Sequence, residues 1–195
     1  MTDRPTIAAI VLAAGCSTRM GDTNKLLADF HGLPMIAQTL AQVKAAGIEP
    51  VYVVTGHEAE KVKAALSNHH LRFVDNAQFY NGLATSLVAG IKALSDDIDG
   101  ALIILGDMPL VRAENITALV GAFKQHLDIC VPFFQGRRGN PVVWGRGYFS
   151  QLKKLEGDQG ARKLLSLHGQ AVIEVEMAGD GILRDFDTAS ELAKV

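Results

Sequence analysis

The sequence predicts an α/β protein organised on a mostly parallel, doubly wound sheet whose C-terminal part turns mixed or antiparallel. Three observations carry that expectation. Apolar runs rich in β-branched or aromatic residues recur at 7–12, 51–54, 71–74 and 101–105. Between them lie stretches with apolar residues three and four apart, the spacing of helices that bury one face. Strand alternating with helix is the pattern of a parallel sheet covered on both faces. After residue 128 the alternation breaks, and two strand-like runs flank one turn.

Composition narrows the class. The 195 residues are 48% apolar and 21% charged, with a net charge of -2. Those fractions are ordinary for a globular domain, and the length suits one domain spanning 1–195 with a substantial core. No basic bias points to nucleic acid or a membrane surface. No apolar run approaches the roughly 18 residues that cross a bilayer, and no signal-like segment opens the chain. The expected location is the cytoplasm. Cys16 and Cys130 form no Cys-x-x-Cys pair and the histidines show no His-x-x-x-His spacing, so neither a zinc site nor a redox motif is expected.

The first element is the run Ile7–Leu12, continuous and apolar, which reads as a strand buried on both faces. Gly15 and Gly21 bracket the loop that follows, with Ser17 and Arg19 inside it and Lys25 just beyond. Glycine lets backbone N–H groups approach a ligand with no Cβ in the way. Successive inward N–H groups form an anion nest, and two cations beside it suit phosphate. Five residues separate the glycines and Asp22 follows, so the loop is not a P-loop; Ser17 stands where a dinucleotide fingerprint needs glycine.

Residues 26–33 predict a short hairpin turning at His31-Gly32. Pro34 suits the first turn of a helix that Gly47 ends. A strand at 51–54 precedes a helix over 58–67 with Val62 and Leu66 on one face, then a short strand at 71–74. Leu83, Leu87, Ile91 and Leu94 place the start of a helix near residue 83. Gly82, Thr85 and Ser86 lie at its N-terminal end, which carries unpaired N–H groups. They either hold a polar ligand group or merely cap the helix. Asp107 follows the strand 101–105 directly, where open α/β sheets bind ligands. It is a candidate magnesium ligand, or it caps the turn before Pro109.

Residues 113–125 predict a helix. The strand 128–134 contains Pro132, which predicts an edge or a bulge. A turn over 135–141 and a strand at 142–144 complete a hairpin, with Arg137 and Arg138 at its tip, solvated or offered to an anion. A helix over 157–167, a strand at 171–175 and a last helix capped by Asp187 or Thr188 close the chain.

The blocks Leu12-Ala-Ala-Gly-Cys-Ser-Thr-Arg-Met-Gly21 and Asn24-Lys-Leu-Leu27 resemble the signature of the MobA-like nucleotidyltransferases, and within them most closely the molybdenum cofactor cytidylyltransferases. Asn81-Gly82 to Ser86-Leu87, Gly106-Asp-Met-Pro109, Gly139-Asn-Pro141, Gly157-Asp-Gln-Gly-Ala-Arg162 and Asp185-Phe-Asp-Thr188 extend the resemblance across nearly the whole chain. It implies a Rossmann-like three-layer fold and transfer of a nucleoside monophosphate from a triphosphate to a phosphorylated acceptor, with release of pyrophosphate. It implies that Leu12, Ala13, Ala14, Gly15, Ser17, Arg19 and Gly21 wrap the nucleotide and that Arg19 and Lys25 lie along the triphosphate. Gly82 and Ser86 would face base and ribose. Asp107 would hold Mg²⁺, with Asp187 as a second carboxylate if the last strand returns beside 101–105. Asn140, Pro141, Asp158 and Arg162 would face the acceptor.

Guanylyl members of the superfamily read Leu-Ala-Gly-Gly where this chain has Ala14. An added methyl discriminates between bases by about 1–3 kcal/mol, so CTP is the preferred donor. Resemblance alone implies a pterin-type acceptor and a molybdenum hydroxylase as eventual partner. The expected chemistry is alignment and charge neutralisation by Arg19, Lys25 and Asp107, because both reactants are anionic and no covalent nucleophile is needed. Two alternatives stay open. One is a related enzyme with another acceptor, or a nicotinamide-dependent oxidoreductase; the other is a non-catalytic carrier of the cofactor.

Overall fold

In the computed structural model, which describes residues 5–16, 24–67, 69–157 and 161–186, the opening apolar run forms the central strand β1, Ile7–Ala13. All seven of its residues are buried. Successive side chains leave a strand on opposite faces, and here both faces are core. Ile7, Ala9, Val11 and Ala13 enter one cluster, while Ala8, Ile10 and Leu12 enter the other. That double burial is why the run shows no polar alternation.

Strands β4 (Val51–Thr55) and β5 (Arg72–Asp75) add to one side of β1, and β6 (Gly100–Leu105) to the other, all parallel. Beyond β6 comes β9 (Val142–Gly145), antiparallel to β6 and to β7 (Ile129–Phe134). The edge is β10 (Val172–Glu176), parallel to β7. With the short β8 (Arg137–Arg138) on β7, eight strands among the described residues form one mixed, mostly parallel sheet.

Helices cover both faces. On one lie α1 (Met35–Ala45), α2 (Ala59–Ala65) and α4 (Ala113–Ala122), which contribute Ile36, Leu40, Val62, Ile116 and Leu119. On the other lie α3 (Leu83–Ala93), α5 (Phe149–Leu152) and α6 (Arg162–Leu167), with Leu87, Ile91, Phe149 and Leu165 against the sheet. The result is the three-layer α/β arrangement that the alternation predicts. No helix among the described residues is long and apolar enough to cross a membrane.

Between β1 and α1, a two-stranded hairpin pairs β2 (Asp29–Phe30) with β3 (Leu33–Pro34). Its turn falls at His31-Gly32, as predicted, and both residues have positive φ, 53° and 87°. That pair of left-handed residues is what a tight two-residue hairpin turn demands.

One sequence expectation needs correction and two are narrowed. The helix expected to reach residue 125 stops at Ala122. Asp128 Oδ2 accepts from the N–H groups of Lys124 (2.8 Å) and Gln125 (3.0 Å), which draws the chain into a turn. Of the two placements expected for Pro132, an edge or a bulge, the edge is excluded, since β7 sits between β9 and β10. The β7–β9 ladder covers only Ile129 and Cys130, and the Pro132 carbonyl accepts from Gly139 in the following turn. The missing N–H therefore falls where regular pairing has already lapsed. The condition attached to Asp187, that the last strand return beside 101–105, is not met by β10, which β9 and β7 separate from β6. The expected final helix from residue 187 lies outside the described residues.

One packing contact yields a stability prediction. A Cβ placed on Gly90, in α3, would lie 2.5 Å from Ile10 Cγ2 and 3.1 Å from Val54 Cγ2. The glycine lets α3 press directly on the sheet. Gly90→Ala is expected to destabilise the protein by about 1–3 kcal/mol through overpacking, despite its gain in helix propensity. Urea unfolding measures this, and an unchanged midpoint would show that α3 has room to move.

Candidate active site

The chain leaves β1 outward through β4 and β5, then crosses back to β6 on the opposite side. That reversal opens a crevice beyond the carboxyl ends of β1 and β6, the favoured ligand position in such sheets. Two loops enter it, the residues after Ala13 and the Gly106-Asp107 turn.

The turn is firmly held. Gly106 N–H donates to the Leu12 carbonyl at 2.9 Å. Thr39 Oγ1, fully buried on α1, donates to the Gly106 carbonyl at 3.1 Å. A Cβ on Gly106 would press on Leu12 O at 3.1 Å and Leu26 Cδ2 at 3.2 Å, so the turn needs glycine to sit this close to β1. Asp107 is thereby fixed at the floor of the crevice.

Lys25 opens a single 3-10 turn, Lys25–Leu27, capped by Asn24, whose Oδ1 accepts from Leu26 N–H at 3.1 Å. Its Nζ lies 2.5 Å from Asp107 Oδ2. Burial pushes the Asp107 carboxyl above its ordinary value of 3.8, Lys25 opposes that rise, and the Asp185 carboxylate adds to it. Among the described residues, Asp107 Oδ1 is buried with no hydrogen-bond partner, as is Asn24 Nδ2. An orphaned carboxylate oxygen beside a second carboxylate fits a divalent cation. Magnesium asks for one or two carboxylates and takes its other ligands from phosphate and water. Asp107 and Asp185, which line one cavity, would supply such carboxylates; a cluster of three or more acidic, histidine or cysteine ligands does not occur among the described residues.

The crevice holds a cavity of about 650 Å³. Leu12, Ala14, Gly15, Lys25, Gly82, Ser86 and Asp107 all line it, so the structure brings these sequence candidates together. A Cβ on Gly15 would meet nothing within 4 Å, which leaves space for a ligand against that backbone. Gly82 caps α3 at φ 102°, a conformation that favours glycine. Thr85 turns out to be local, donating to the Gly82 and Gln78 carbonyls. Ala13 points away into the core on the opposite face of the sheet.

A second cavity of about 480 Å³ adjoins the first. Leu12, Leu83 and Leu105 line both and form the partition. Asn140 and Arg162 are among its lining residues, together with Val142, Trp144 and Leu165. Pro141 is buried behind Asn140. The turn is pinned from behind, since Asn140 N–H donates to Ile182 O and a Cβ on Gly139 would lie 2.2 Å from that oxygen. Arg137 and Arg138 line neither cavity, and Arg138 pairs instead with Glu174 of β10 at 2.7 Å. Ser17, Arg19, Gly21, Asp158 and Asp187 lie outside the described residues.

The sequence reading missed three contributors. Asp185 lines the first cavity while Phe186 beside it packs with Phe30 and Met35. A buried aromatic next to an acid in an extended segment turns the acid outward, a signal that the Asp185-Phe-Asp triplet carried. Asn24 acts locally, as the cap of the turn that carries Lys25, whereas Thr39 acts through a contact that no local pattern announces.

Cys16 lines the first cavity, whereas Cys130 is fully buried and its thiol is pushed up to about 12 by burial. Native protein is therefore expected to incorporate about one equivalent of maleimide, at Cys16. Saturating nucleotide with Mg²⁺ should slow that labelling several-fold. Labelling that a bound nucleotide does not slow would place the ligand away from Gly15 and Cys16.

An α/β sheet with a glycine-lined crevice at its switch point, holding a lysine against a metal-fitting aspartate, defines a nucleotide-binding fold equipped for phosphate chemistry. Residues 9–172 match the model of the MobA-like NTP transferase domain, and the chain belongs to that family. It is similar to the purine catabolism protein PucB of Bacillus subtilis, 30% identical over 96% of this chain and 94% of PucB. It is also similar to the bifunctional protein GlmU of Anaeromyxobacter sp. (strain K), 41% identical over 61% of this chain. The chain spans about a quarter of the length of that GlmU.

Among solved structures, a nucleotidyl transferase from Methanothermobacter thermautotroptrophicus superposes with a TM-score of 0.85 at 25% identity, covering 97% of this chain and 95% of the other. Rv0371c from Mycobacterium tuberculosis H37Rv superposes with a TM-score of 0.87 at 27% identity, covering 98% and 97%. A complex of Rv0371c with manganese superposes at 0.73 and 26% identity, covering 89% of each chain.

Proposed function

We propose that this chain is a Mg²⁺-dependent nucleotidyltransferase that moves CMP from CTP onto the phosphate of a pterin-type acceptor, the molybdenum cofactor, releasing pyrophosphate. The observation that carries the reading is the Lys25–Asp107 pair facing a glycine-lined cavity at the switch point, with a second cavity one side chain away. Two adjoining sites suit a reaction that joins two substrates. Every described layer packs on one sheet, which supports reading 1–195 as one catalytic domain.

In this reading the triphosphate lies along Gly15 and Lys25, and Asp107 and Asp185 would hold the magnesium. When bound, that ion neutralises phosphate charge. Manganese in the Rv0371c complex supports a divalent requirement. The acceptor phosphate enters from the second cavity, where Arg162 offers charge and Asn140 a hydrogen bond. Its oxygen bonds to the α-phosphorus as the bond to the β-phosphate oxygen breaks. Lys25 stabilises the charge on the departing pyrophosphate. No general base is required, because a phosphate monoester is already ionised near neutral pH. The second cavity is mostly aliphatic and aromatic. Few groups there meet the hydroxyls of a sugar, and a flat heteroaromatic ring suits it better.

A pyrophosphate-release screen of CTP, GTP, ATP and UTP with Mg²⁺ and purified molybdenum cofactor tests the proposal. Selective release with CTP is the expected result. Release with another acceptor only would move the substrate assignment. Binding without turnover of any triphosphate would make the chain a carrier.

A further inference from the structure

Asn76 follows β5, and nothing in the proposed reaction uses it. It is buried and tied to the sheet by its N–H, which donates to Thr55 O at 2.8 Å. Its side-chain oxygen accepts from the backbone N–H of Gln78 at 3.0 Å. A backbone N–H can only donate, so that contact fixes which end of the amide is oxygen. The amide nitrogen therefore faces the other way, donating to Thr85 Oγ1 at 2.9 Å and to Ser86 Oγ at 3.0 Å.

The two hydroxyls then differ. Thr85 passes its own proton to the Gly82 and Gln78 carbonyls, at 2.9 and 3.1 Å. Ser86 accepts from Asn76, and its proton goes to no protein group among the described residues. Ser86 also lines the nucleotide cavity, only 5% exposed. With one lone pair engaged by Asn76 and no protein acceptor for its proton among the described residues, the Ser86 hydroxyl has that proton left to give to a ligand.

We propose that Asn76 is a positioning residue that orients Ser86 to donate its proton into the cavity, so that the site recognises a keto oxygen on the base of the nucleotide. This rests on the reading of the first cavity as the nucleotide site. Cytosine, uracil and guanine carry a keto oxygen, and adenine does not. The discrimination would come from hydrogen-bond polarity, in addition to any steric effect of Ala14. A site built to bond one polar group rejects analogues that leave its own group unpaired.

The test is a double-mutant cycle with CTP and ATP. Asn76→Asp preserves shape and the Gln78 contact but replaces the donating nitrogen with an accepting oxygen. Ser86 then spends its proton on the carboxylate. Affinity for CTP is expected to fall roughly tenfold, with the loss in KM rather than in kcat and ATP binding unaffected. Ser86→Ala should weaken CTP by a similar factor, and the double variant should be no worse than either alone. Ser86→Ala removes only a hydroxyl and keeps the test alive if Asn76→Asp does not fold. Wild-type affinity for CTP in Ser86→Ala, multiplying effects in the double variant, or equal losses for ATP would each overturn the inference. Failure of the wild type to bind any of the four triphosphates would instead overturn the nucleotide reading, and this inference with it.

Discussion

Asp107→Asn is expected to reduce the transfer rate about 10²–10³-fold, the scale of removing one preorganised charge-stabilising group, while the fold persists. The amide keeps the shape of the side chain and the turn held by Thr39. It removes the negative charge that the orphaned Oδ1 would offer to a metal. The stability of the variant separates this from simple unfolding. Burial raises the carboxyl above 3.8 even against Lys25. A raised acid contributes stability in full below its unfolded value and loses it as pH rises through the folded one. In metal-free buffer the ionised carboxylate is therefore a cost at neutral pH. The variant should melt no lower than wild type at pH 7, and any advantage should shrink as pH falls towards 3.8. Full activity in the variant would remove Asp107 from the mechanism. A melting temperature well below wild type would reassign it as a structural residue.

Lys25→Ala is expected to weaken triphosphate binding by roughly 1.5–3 kcal/mol, the scale of a hydrogen bond to a charged group. The lysine is set on a capped turn, and its side chain is only 17% exposed, so its ammonium reaches the cavity with little freedom to lose. A compact ammonium also suits the point-charge contact that phosphate makes with lysine. Calorimetric titration with CTP and Mg²⁺ measures the loss. Unchanged affinity would mean that Lys25 does not contact the triphosphate. Arginine in its place is not a conservative change, because its planar fork requires more room and a different approach.

The parts of this site that were legible in the sequence are those set by local chemistry. The apolar run of β1, the glycine after it, Lys25 and the aspartate directly after β6 all announce themselves within a few residues. Contacts between distant segments did not. Thr39 reaches Gly106 across 67 positions, and nothing in the pattern of α1 marks one threonine as the brace of the turn that carries Asp107. The strand order was equally hidden: periodicity identifies β10 as a strand but says nothing of which edge it joins. That is why the sequence could state the return of the last strand beside 101–105 only as a condition, which β10 does not meet. The second carboxylate in the cavity is nevertheless present, because the segment after β10 comes back to bring Asp185 there. Pro132 left edge and bulge both open for a related reason, since its tolerance depends on where pairing with β9 ends.

The partition between the two cavities bears on how such an enzyme could change its acceptor. Leu12 is a core residue of the central strand, and Leu105 ends β6 packed against both cores. Altering either would loosen the scaffold along with the substrate boundary. Leu83 stands 41% exposed at the head of α3. Of the three, it is the position where selection can reshape the boundary at little cost to folding; on the proposed reading, in which the second cavity takes the acceptor, divergence in acceptor choice would have its foothold at Leu83 and in the outer wall carrying Arg162 and Leu165.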